Sequence, residues 1–291
     1  MKKMTILNML VLPNFKKEGT AGVLRRVISW AGRNGVQVLM RKEHEKKVEA
    51  AFRKGIVFFQ ERDEKRQLTD CDLILSIGGD GTLIRGAVVA ATYGIPITGV
   101  NTGTLGFLAD IFPEETEGKL DRILQGKCVH DRRDCLSAAW GKNKIPIALN
   151  DIVLQKKTRG GICGVAVYFG KELVGNYRAD GMIVSTPTGS TGYAYAAGGP
   201  IIHADADVIS IIPLNPQYRM NIPLVCASDS KIRIVPTIGA LDITVDGEVA
   251  GTLKKGEELI VGKAKEHVEL IRFSADWGVI DWMERVGSLK V

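Results

Sequence analysis

The chain has few aromatic residues, no long apolar run and no ordered cysteine pattern, and each shortage removes a class of protein. Phe, Trp and Tyr make up 6% of the 291 residues, and no block of Lys and Arg is interleaved with them. Proteins that hold single-stranded nucleic acids stack the bases on aromatic side chains along a basic groove. We therefore expect no nucleic-acid partner.

The five cysteines are scattered and form no CxxC pair, which argues against a disulfide framework and against a zinc site. The four histidines show no ligand or triad spacing, and neither HExxH nor GxSxG occurs. The sequence thus names no metal ligand and disfavours metal-dependent and serine hydrolysis. Unpaired cysteines are typical of a reducing compartment, so we expect a cytoplasmic protein.

No uncharged apolar stretch approaches the 18 residues that a transmembrane helix needs. Residues 1–12 superficially resemble a signal peptide because two lysines precede an apolar run. Asn8, Pro13 and the lack of a small-residue cleavage site favour a buried first strand instead. We expect no membrane partner.

Glycine and positive charge are what the chain has in excess. Glycine occupies 33 of 291 positions, about 11% against a usual level of about 7%. Many positions therefore need positive φ angles or close approach of the backbone to a ligand. The formal net charge is +6, which favours anionic partners, and with so few aromatic residues we favour small polyphosphorylated molecules.

The order of apolar runs predicts two domains of different class. In the first 125 or so residues, strands at 5–12, 36–40, 72–77 and 95–100 alternate with helices at 20–33, 42–53, 82–93 and 114–125. Later residues form short β-branched runs at 152–154, 165–169, 182–185, 232–235 and 241–245, with a short helix after Gly189 that ends at Gly198. We predict a Rossmann-like α/β domain at 1–126, a β-sandwich-like domain at 127–274, and packing of 275–291 on the first.

The sharpest local motif is Gly-Gly-Asp-Gly-Thr at 78–82, between a buried strand and a helix. Glycines at such a junction let phosphate approach backbone N–H groups and the helix N-terminus. A carboxylate repels phosphate there unless it holds a metal ion or accepts a proton, so Asp80 has a chemical role. The motif alone is equally compatible with a tight turn in which Asp80 caps the helix.

Three other segments carry polar groups at the ends of predicted strands. The turn at 101–108 follows the strand beside the Asp80 strand, so both turns are expected at one sheet edge. The segment 178–193 combines hydroxyls, glycines and Tyr193, which suit recognition of a base or a sugar. Asn150 and Asp151 precede a strand, where ordinary turn chemistry also explains them.

Four motifs together resemble the NAD kinase family. They are GGDGT at 78–82, NxGxLGFL at 101–108, Asn-Asp at 150–151 and DGMIVSTPTGSTGYAYAAGGP at 180–200. The resemblance implies transfer of a phosphoryl group from ATP or inorganic polyphosphate, with Mg²⁺ or another divalent cation, to the 2′-hydroxyl of the adenosine ribose of NAD. It also implies a homo-oligomer, a dimer or a tetramer. GGDGT-like turns occur in diacylglycerol-kinase-like and sugar kinases as well, which are the alternative, together with a non-catalytic dinucleotide-binding module.

The resemblance also assigns roles to residues. Asp80 is the catalytic carboxylate, and the residues expected at the donor phosphates are Gly79, Gly81, Thr82 and Arg85. The residues expected at NAD are Asp80, Gly81, Phe107, Asn150, Asp151, Arg178, Asp180, Thr188, Thr191, Gly192, Tyr193, Ala194, Tyr195, Ala196 and Glu248. Within that set, Asp151 is expected to hold ribose hydroxyls and Asn150 to read the adenine.

Three positions depart from the family pattern. Gly192 stands where Ala is usual, Glu248 stands where Gln is common, and Ile222 stands where Arg often precedes Pro. A carboxylate in place of an amide near the nicotinamide end is expected to alter the preference between NAD and NADH.

Overall fold

The computed structural model describes residues 5–103, 106–157, 161–218 and 222–273. Within these, the chain forms two compact units: residues 5–132 with 268–273 make unit 1, and residues 133–267 make unit 2. The boundary between the units thus lies six residues after the one expected from the sequence. Residues from 268 onward belong again to unit 1, and residue 268 lies within the last strand of the described residues. The expected packing of 275–291 lies outside the described residues.

Unit 1 is built on a parallel sheet. Its strands are β1 (Asn8–Pro13), β2 (Gln37–Arg41), β3 (Ile56–Phe59), β4 (Leu73–Gly78) and β5 (Ile97–Asn101). They lie in the order β3-β2-β1-β4-β5, and all neighbouring pairs are parallel. This is the doubly wound order, so the predicted Rossmann-like domain is confirmed.

The helices of unit 1 are α1 (Thr20–Asn34), α2 (Glu64–Leu68), α3 (Asp80–Tyr93) and α4 (Thr116–Leu124). Short 3₁₀ segments cover Lys42–Lys47, Ala50–Gly55, Glu61–Asp63 and Pro113–Glu115. Strand β4 is buried at every position, and Trp30 of α1 packs in the same apolar cluster as Met9 and Leu73. Full burial of β4 explains why its sequence is a continuous apolar run.

One predicted helix of unit 1 is wrong. Residues 42–53 form two 3₁₀ segments separated by Val48 and Glu49. The backbone of Val48 is extended at φ −83° and ψ 134°. Val48 is buried in the core, so tertiary packing overrides the local helix preference of the flanking charged residues. Strand β3 and helix α2, which follow, were not predicted.

Unit 2 contains two antiparallel sheets. Its strands are β6 (Val129–Trp140, from 133 onward), β7 (Asn143–Lys144), β8 (Asp151–Lys156), β9 (Cys163–Phe169), β10 (Glu172–Ala179), β11 (Gly181–Ser185), β12 (Val208–Leu214), β13 (Leu224–Ala227), β14 (Ile232–Ile238), β15 (Leu241–Val245), β16 (Glu248–Leu253) and β17 (Leu259–Arg272, up to 267). One sheet has the order β13-β12-β11-β8-β15-β16, and the other contains β10-β9-β14-β17.

The two sheets of unit 2 enclose one apolar cluster. Leu154 and Val184 of the first sheet and Val165 and Ile234 of the second are fully buried in it. This is the arrangement of a β-sandwich, as predicted. The predicted short helix is also confirmed: a 3₁₀ turn (Thr188–Thr191) leads into α5 (Tyr193–Ala196), and Gly198 follows with φ +85°.

None of the helices in the described part of the chain is long and apolar enough to cross a membrane.

Candidate active site

Asp80 stands at the junction of β4 and α3. Strand β4 ends at Gly78, Gly79 is extended, and Asp80 is the first residue of the helix. A side chain at Gly78 would overlap the Thr82 hydroxyl, so this turn has no room for a larger residue. The first turn of α3 leaves backbone N–H groups without partners inside the helix, as every helix N-terminus does.

The Asp80 carboxylate accepts three backbone hydrogen bonds from the loop after β5. Phe107 N–H donates to Oδ2 at 2.7 Å, while the N–H groups of Leu108 and Ala109 donate to Oδ1 at 3.1 and 3.0 Å. A Cβ atom at Gly106 would overlap Oδ1, so the loop comes this close only because residue 106 is glycine. The two turns expected at one sheet edge therefore meet; Thr104 and Leu105 lie outside the described residues.

A cavity of about 380 Å³ opens beside Asp80. It is lined by Asn14, Lys17, Gly79, Asp80, Gly81, Thr82, Arg85, Gly103 and Gly106. The lining contains all four residues expected at the donor phosphates. It also contains two cationic side chains, which suit an anionic ligand, and one carboxylate, which can accept a proton from a reacting group.

Asn14 and Lys17 were not predicted. They follow β1, which is the parallel neighbour of β4, and Asn14 donates from Nδ2 to the Thr82 hydroxyl at 3.2 Å. Loops after adjacent parallel strands share a sheet edge. This holds for the loop after β1 as it does for the loop after β5, because both strands are neighbours of β4. The same signal was therefore present in the sequence.

In unit 2, Asn150 and Asp151 are held by Asp246. The Asp246 carboxylate accepts N–H bonds from Leu149 at 2.7 Å, Asn150 at 2.8 Å and Asp151 at 3.0 Å. Asp246 itself lies in the left-handed region with φ +47°, and Gly247 follows with φ +86°. A non-glycine residue in that region is uncommon, which marks this turn as structurally constrained.

Asp151 is buried and Asp246 is half-buried, and this changes their acidity. Burial, followed by the negative charge of Asp246, raises the pKa of Asp151 to about 7. Burial also raises the pKa of Asp246, although its three backbone N–H bonds oppose that rise. At neutral pH the Asp151 carboxyl is therefore present in both protonation states, so it can donate or accept a hydrogen bond.

In the hydroxyl-rich segment at 185–191, most hydroxyls donate to backbone carbonyls, either of the segment itself or of Leu149 and Asn150. Thr186 Oγ1 donates to the Leu149 carbonyl at 2.6 Å, and Thr191 Oγ1 donates to the Thr188 carbonyl at 3.4 Å. A side chain at Gly189 would overlap the Asn150 carbonyl. Within the described residues, the buried Asn150 Oδ1 accepts no hydrogen bond, which is uncommon for a buried polar atom.

A second cavity, of about 510 Å³, lies in unit 2, and two more predicted residues, Asp180 and Tyr193, line it. Its lining consists of Gln155, Lys156, Lys157, Asp180, Tyr193, Leu214 and Asn215. Lys156 Nζ lies 2.6 Å from Asp180 Oδ1, and hydrogen bonds from Lys156 and Asn215 lower the pKa of Asp180. Gln155 Nε2 donates to the Tyr193 hydroxyl at 2.9 Å.

Most of the remaining predicted residues of unit 2 lie on its surface. Arg178, Glu248, Gly192, Tyr195 and Ala196 are exposed, and Tyr193 is 43% exposed. Ala194 is buried in a small apolar cluster, where it fixes α5. Lys156, which lines the second cavity and pairs with Asp180, was not among the predicted site residues.

Within the described ranges, no group of three or more His, Cys, Asp or Glu side chains could hold a metal ion. A magnesium ion does not need such a group, because it usually keeps several waters and binds one or two carboxylates together with substrate phosphates. Asp80, as the carboxylate of a cavity suited to phosphate, fits that mode of binding.

Comparison with known proteins points to one family. The family model described as ATP-NAD kinase N-terminal domain matches residues 9–128, and the one described as ATP-NAD kinase C-terminal domain matches residues 149–273. The NAD kinase of Saccharophagus degradans is 34% identical over 266 residues, which cover 87% of this chain and 87% of that protein. The NAD kinase of Hahella chejuensis is 39% identical over 210 residues, 69% of this chain and 70% of that protein.

Solved structures share the fold. A yeast NADH kinase complexed with NADH superposes with a TM-score of 0.84 at 21% identity, over 98% of this chain and 88% of that one. An NAD kinase from Archaeoglobus fulgidus in complex with ATP gives a TM-score of 0.72 at 24% identity, over 98% and 100%. Together with the sequence matches, they leave the lipid- and sugar-kinase alternatives without support, and the chain belongs to the NAD kinase family.

Proposed function

We propose that the protein transfers the terminal phosphoryl group of ATP to the 2′-hydroxyl of the adenosine ribose of NAD and so produces NADP. The observation that carries this proposal is Asp80, a carboxylate that lines the same cavity as Lys17 and Arg85. Phosphoryl transfer needs mainly positioning and positive charge around the phosphates, with a group that takes the proton of the attacking hydroxyl. It requires no covalent nucleophile, in keeping with a sequence that has no triad.

The donor phosphates are assigned to the cavity beside Asp80. Gly79, Gly81 and Thr82 let phosphate approach the N-terminus of α3, and Arg85 and Lys17 supply positive charge. The ATP complex of the archaeal NAD kinase supports ATP as the donor. Inorganic polyphosphate presents the same phosphate chemistry and is the second donor to test.

Asp80 is assigned as the proton acceptor. A carboxylate offers about four lone-pair sites, and three of those on Asp80 are filled by backbone N–H groups. The remaining site is free to accept the proton of the ribose 2′-hydroxyl. The three N–H bonds fix the direction in which that site points, which is the positioning that general-base catalysis needs.

A bound Mg²⁺ ion would neutralise negative charge on the transferring phosphoryl group. Asp80 is the one carboxylate among the residues that line the cavity. Because the remaining lone pair of Asp80 takes the proton, the donor phosphates and water would supply most of the ligands of the ion.

The NAD molecule is assigned to the residues that the family resemblance gives. Asp151 would hold ribose hydroxyls, and the unpartnered Asn150 Oδ1 would accept from the adenine amine. Thr188 and Thr191 would lie along the base, with Phe107 and Tyr193 packed on it. Arg178 and Asp180 are assigned to the pyrophosphate and nicotinamide side. Gly192, Ala194, Tyr195, Ala196 and Glu248 complete the set.

We also propose that the protein acts in the cytoplasm as a homo-oligomer, either a dimer or a tetramer. The cysteines are odd in number and scattered and form no CxxC pair, which supports a reducing compartment. Light scattering of the purified protein measures the oligomer number directly. A monomer would contradict this part of the proposal and leave the reaction untouched.

The deciding experiment measures NADP formation from NAD with Mg²⁺ and either ATP or polyphosphate. We expect wild-type activity, a loss of about 10²- to 10⁴-fold in Asp80→Asn, and unchanged activity in Asp70→Asn, an exposed carboxylate of the same unit.

Other outcomes separate the alternatives. Activity that survives Asp80→Asn would discard the proton-acceptor assignment and keep the kinase. No NADP with either donor, with phosphorylation of a lipid or sugar hydroxyl, would indicate a kinase of the other class. Tight NAD binding without turnover would indicate a non-catalytic dinucleotide-binding module.

A further inference from the structure

Arg272 is a buried charge in unit 1 that the family resemblance did not single out. It is the last residue of β17, its side chain is 2% exposed, and its neighbour Leu270 lies beside Ile97 of β5. Burying a guanidinium is costly unless opposite charges and hydrogen-bond acceptors surround it. The groups around the guanidinium therefore indicate the role of this buried charge.

Three neighbours of the Arg272 guanidinium carry the argument. Nη2 donates to the Phe107 carbonyl at 3.3 Å, and Nε lies 3.7 Å from Asp110 Oδ2 and 4.0 Å from Asp131 Oδ2. Asp110 and Asp131 are themselves largely buried, at 9% and 15% side-chain exposure. Two of the three neighbours, Phe107 and Asp110, belong to the loop that binds Asp80.

The loop at 106–110 is thus held from two sides. Its N–H groups at 107–109 point to the Asp80 carboxylate, and the carbonyl of Phe107 and the side chain of Asp110 point to Arg272. Residues 106–110 belong to no helix or strand, so regular backbone bonding does not fix their shape. A planar guanidinium with several N–H donors can bind a carbonyl and a carboxylate at once, which an ammonium group does less well.

We propose that Arg272 is a positioning residue for Asp80: it holds the 106–110 loop in the shape that directs three N–H groups at the carboxylate. This inference rests on the proposed role of Asp80. Because the Arg272 side chain is only 2% exposed, it acts through the loop, and its removal lowers kcat more than it raises KM for NAD, to which the loop contributes only Phe107. A residue that served only the stability of unit 1 would lower the amount of folded enzyme without that selective effect.

The test compares Arg272→Met, Arg272→Lys and the control Arg41→Met. Arg41 also ends a strand of unit 1 and pairs with Glu64 at 2.7 Å, so the control removes a partly buried arginine ion pair elsewhere. We expect Arg272→Met to lower kcat about ten- to a hundredfold, with KM for NAD and for ATP changed much less than kcat. Arg272→Lys keeps the charge and should recover part of kcat, whereas Arg41→Met should keep kcat unchanged.

Hydrogen exchange gives a readout that does not depend on activity. The amide protons of 107–109 should exchange at least about tenfold faster in Arg272→Met than in the wild type, and at the wild-type rate in Arg41→Met. If Arg272→Met does not fold, Asp110→Asn and Arg272→Lys provide the same comparison. Unchanged kcat and unchanged exchange in the folded variants would overturn the inference.

A double variant separates this inference from the proposed function. If Arg272 acts through Asp80, adding Arg272→Met to Asp80→Asn should change kcat less than about twofold. Full multiplication of the two losses would overturn the positioning role while keeping Asp80 as the catalytic group. If Asp80→Asn alone leaves kcat unchanged, the proposed role of Asp80 fails, and the exchange rates still report whether Arg272 holds the loop.

Discussion

Each unit contains an aspartate whose carboxylate accepts three hydrogen bonds from backbone N–H groups of a neighbouring segment. In unit 1, Asp80 binds residues 107–109, and in unit 2, Asp246 binds residues 149–151. Charge-assisted hydrogen bonds of this kind are stronger than those between neutral groups. The chain thus uses the same bond pattern in an α/β unit and in a β-sandwich.

The two carboxylates differ in what surrounds them. Both are half-buried, but Asp80 lines a cavity, whereas Asp246 lies beside the buried Asp151, which is 6% exposed. Under the proposed function, the loop of unit 1 holds the reacting carboxylate, and the carboxylate of unit 2 holds the segment that carries the binding residues. The same bonds therefore position an acid group in one unit and an amide and a carboxyl in the other.

The largest expected effect comes from closing the space that lets the loop reach Asp80. A Cβ atom at Gly106 would overlap Asp80 Oδ1, so Gly106→Ala should displace the loop and lower kcat about ten- to a hundredfold. Gly118→Ala is the matched control, because Gly118 lies within α4 and its Cβ would meet no atom within 4 Å. The control should keep kcat and gain about 0.5 to 1 kcal/mol of stability. Equal kcat in both variants would show that the close approach does not matter.

Removing the charge of the second carboxylate should act on stability and substrate binding. Asp246→Asn leaves one acceptor oxygen for three N–H groups and turns an amide NH₂ toward them. We expect a loss of about 2 kcal/mol in the free energy of unfolding, measured with urea, and a higher KM for NAD with kcat less affected. Asp242→Asn is the control. The Asp242 carboxylate accepts a hydrogen bond from the Thr252 hydroxyl at 2.7 Å, and this substitution should cost little stability. A loss confined to kcat would contradict the contrast between the two units.

The acidity of Asp151 predicts how stability depends on pH. The folded protein keeps the Asp151 proton up to a pKa of about 7, while the unfolded chain releases it near 3.8. Between those values the folded state binds more protons, so this group's contribution to stability is present at low pH and is lost as pH rises through 7. The slope is at most about 1.4 kcal/mol per pH unit for one proton.

Urea unfolding of the wild type and of Asp151→Asn between pH 5 and 8 checks this sign. The stability of the wild type relative to the variant should fall from pH 5 to 7 and then level off. In an Asp246→Asn background the fall should move to lower pH, because the neighbouring negative charge is gone. Parallel curves for the wild type and Asp151→Asn would contradict the raised pKa.

The sequence predicted the elements whose burial leaves a clear pattern. Strand β4 is buried at every residue and appears as a continuous apolar run, and α3 follows a glycine turn and ends before Gly94. The failure at 42–53 has the opposite cause: a charged segment gains its shape from the single buried Val48, which no local periodicity reveals.

The sequence singles out candidate site residues where particular side chains stand in a short motif. Asp80 and Asn150 stand out in their motifs, but the partners that hold them are backbone N–H groups, which any sequence supplies. Asp246 and Arg272 act on those segments from 95 or more residues away along the chain. Contacts of that range depend on the tertiary fold, so a reading of local patterns could not find them.

The smallest expected effect concerns Glu248, which is exposed on β16. The nicotinamide ring is positively charged in NAD and neutral in NADH, so a nearby carboxylate favours NAD. An exposed charge contributes about 0.2 to 1 kcal/mol, so Glu248→Gln should lower the preference for NAD over NADH at most about fivefold. The ratio of kcat/KM values for the two substrates measures it, with Glu266→Gln, an exposed carboxylate of β17, as the control. Since salt screens exposed charges, the difference should shrink between low and high ionic strength. A preference that Glu248→Gln leaves unmoved would place the nicotinamide away from β16 and leave the contrast between Asp80 and Asp246 intact.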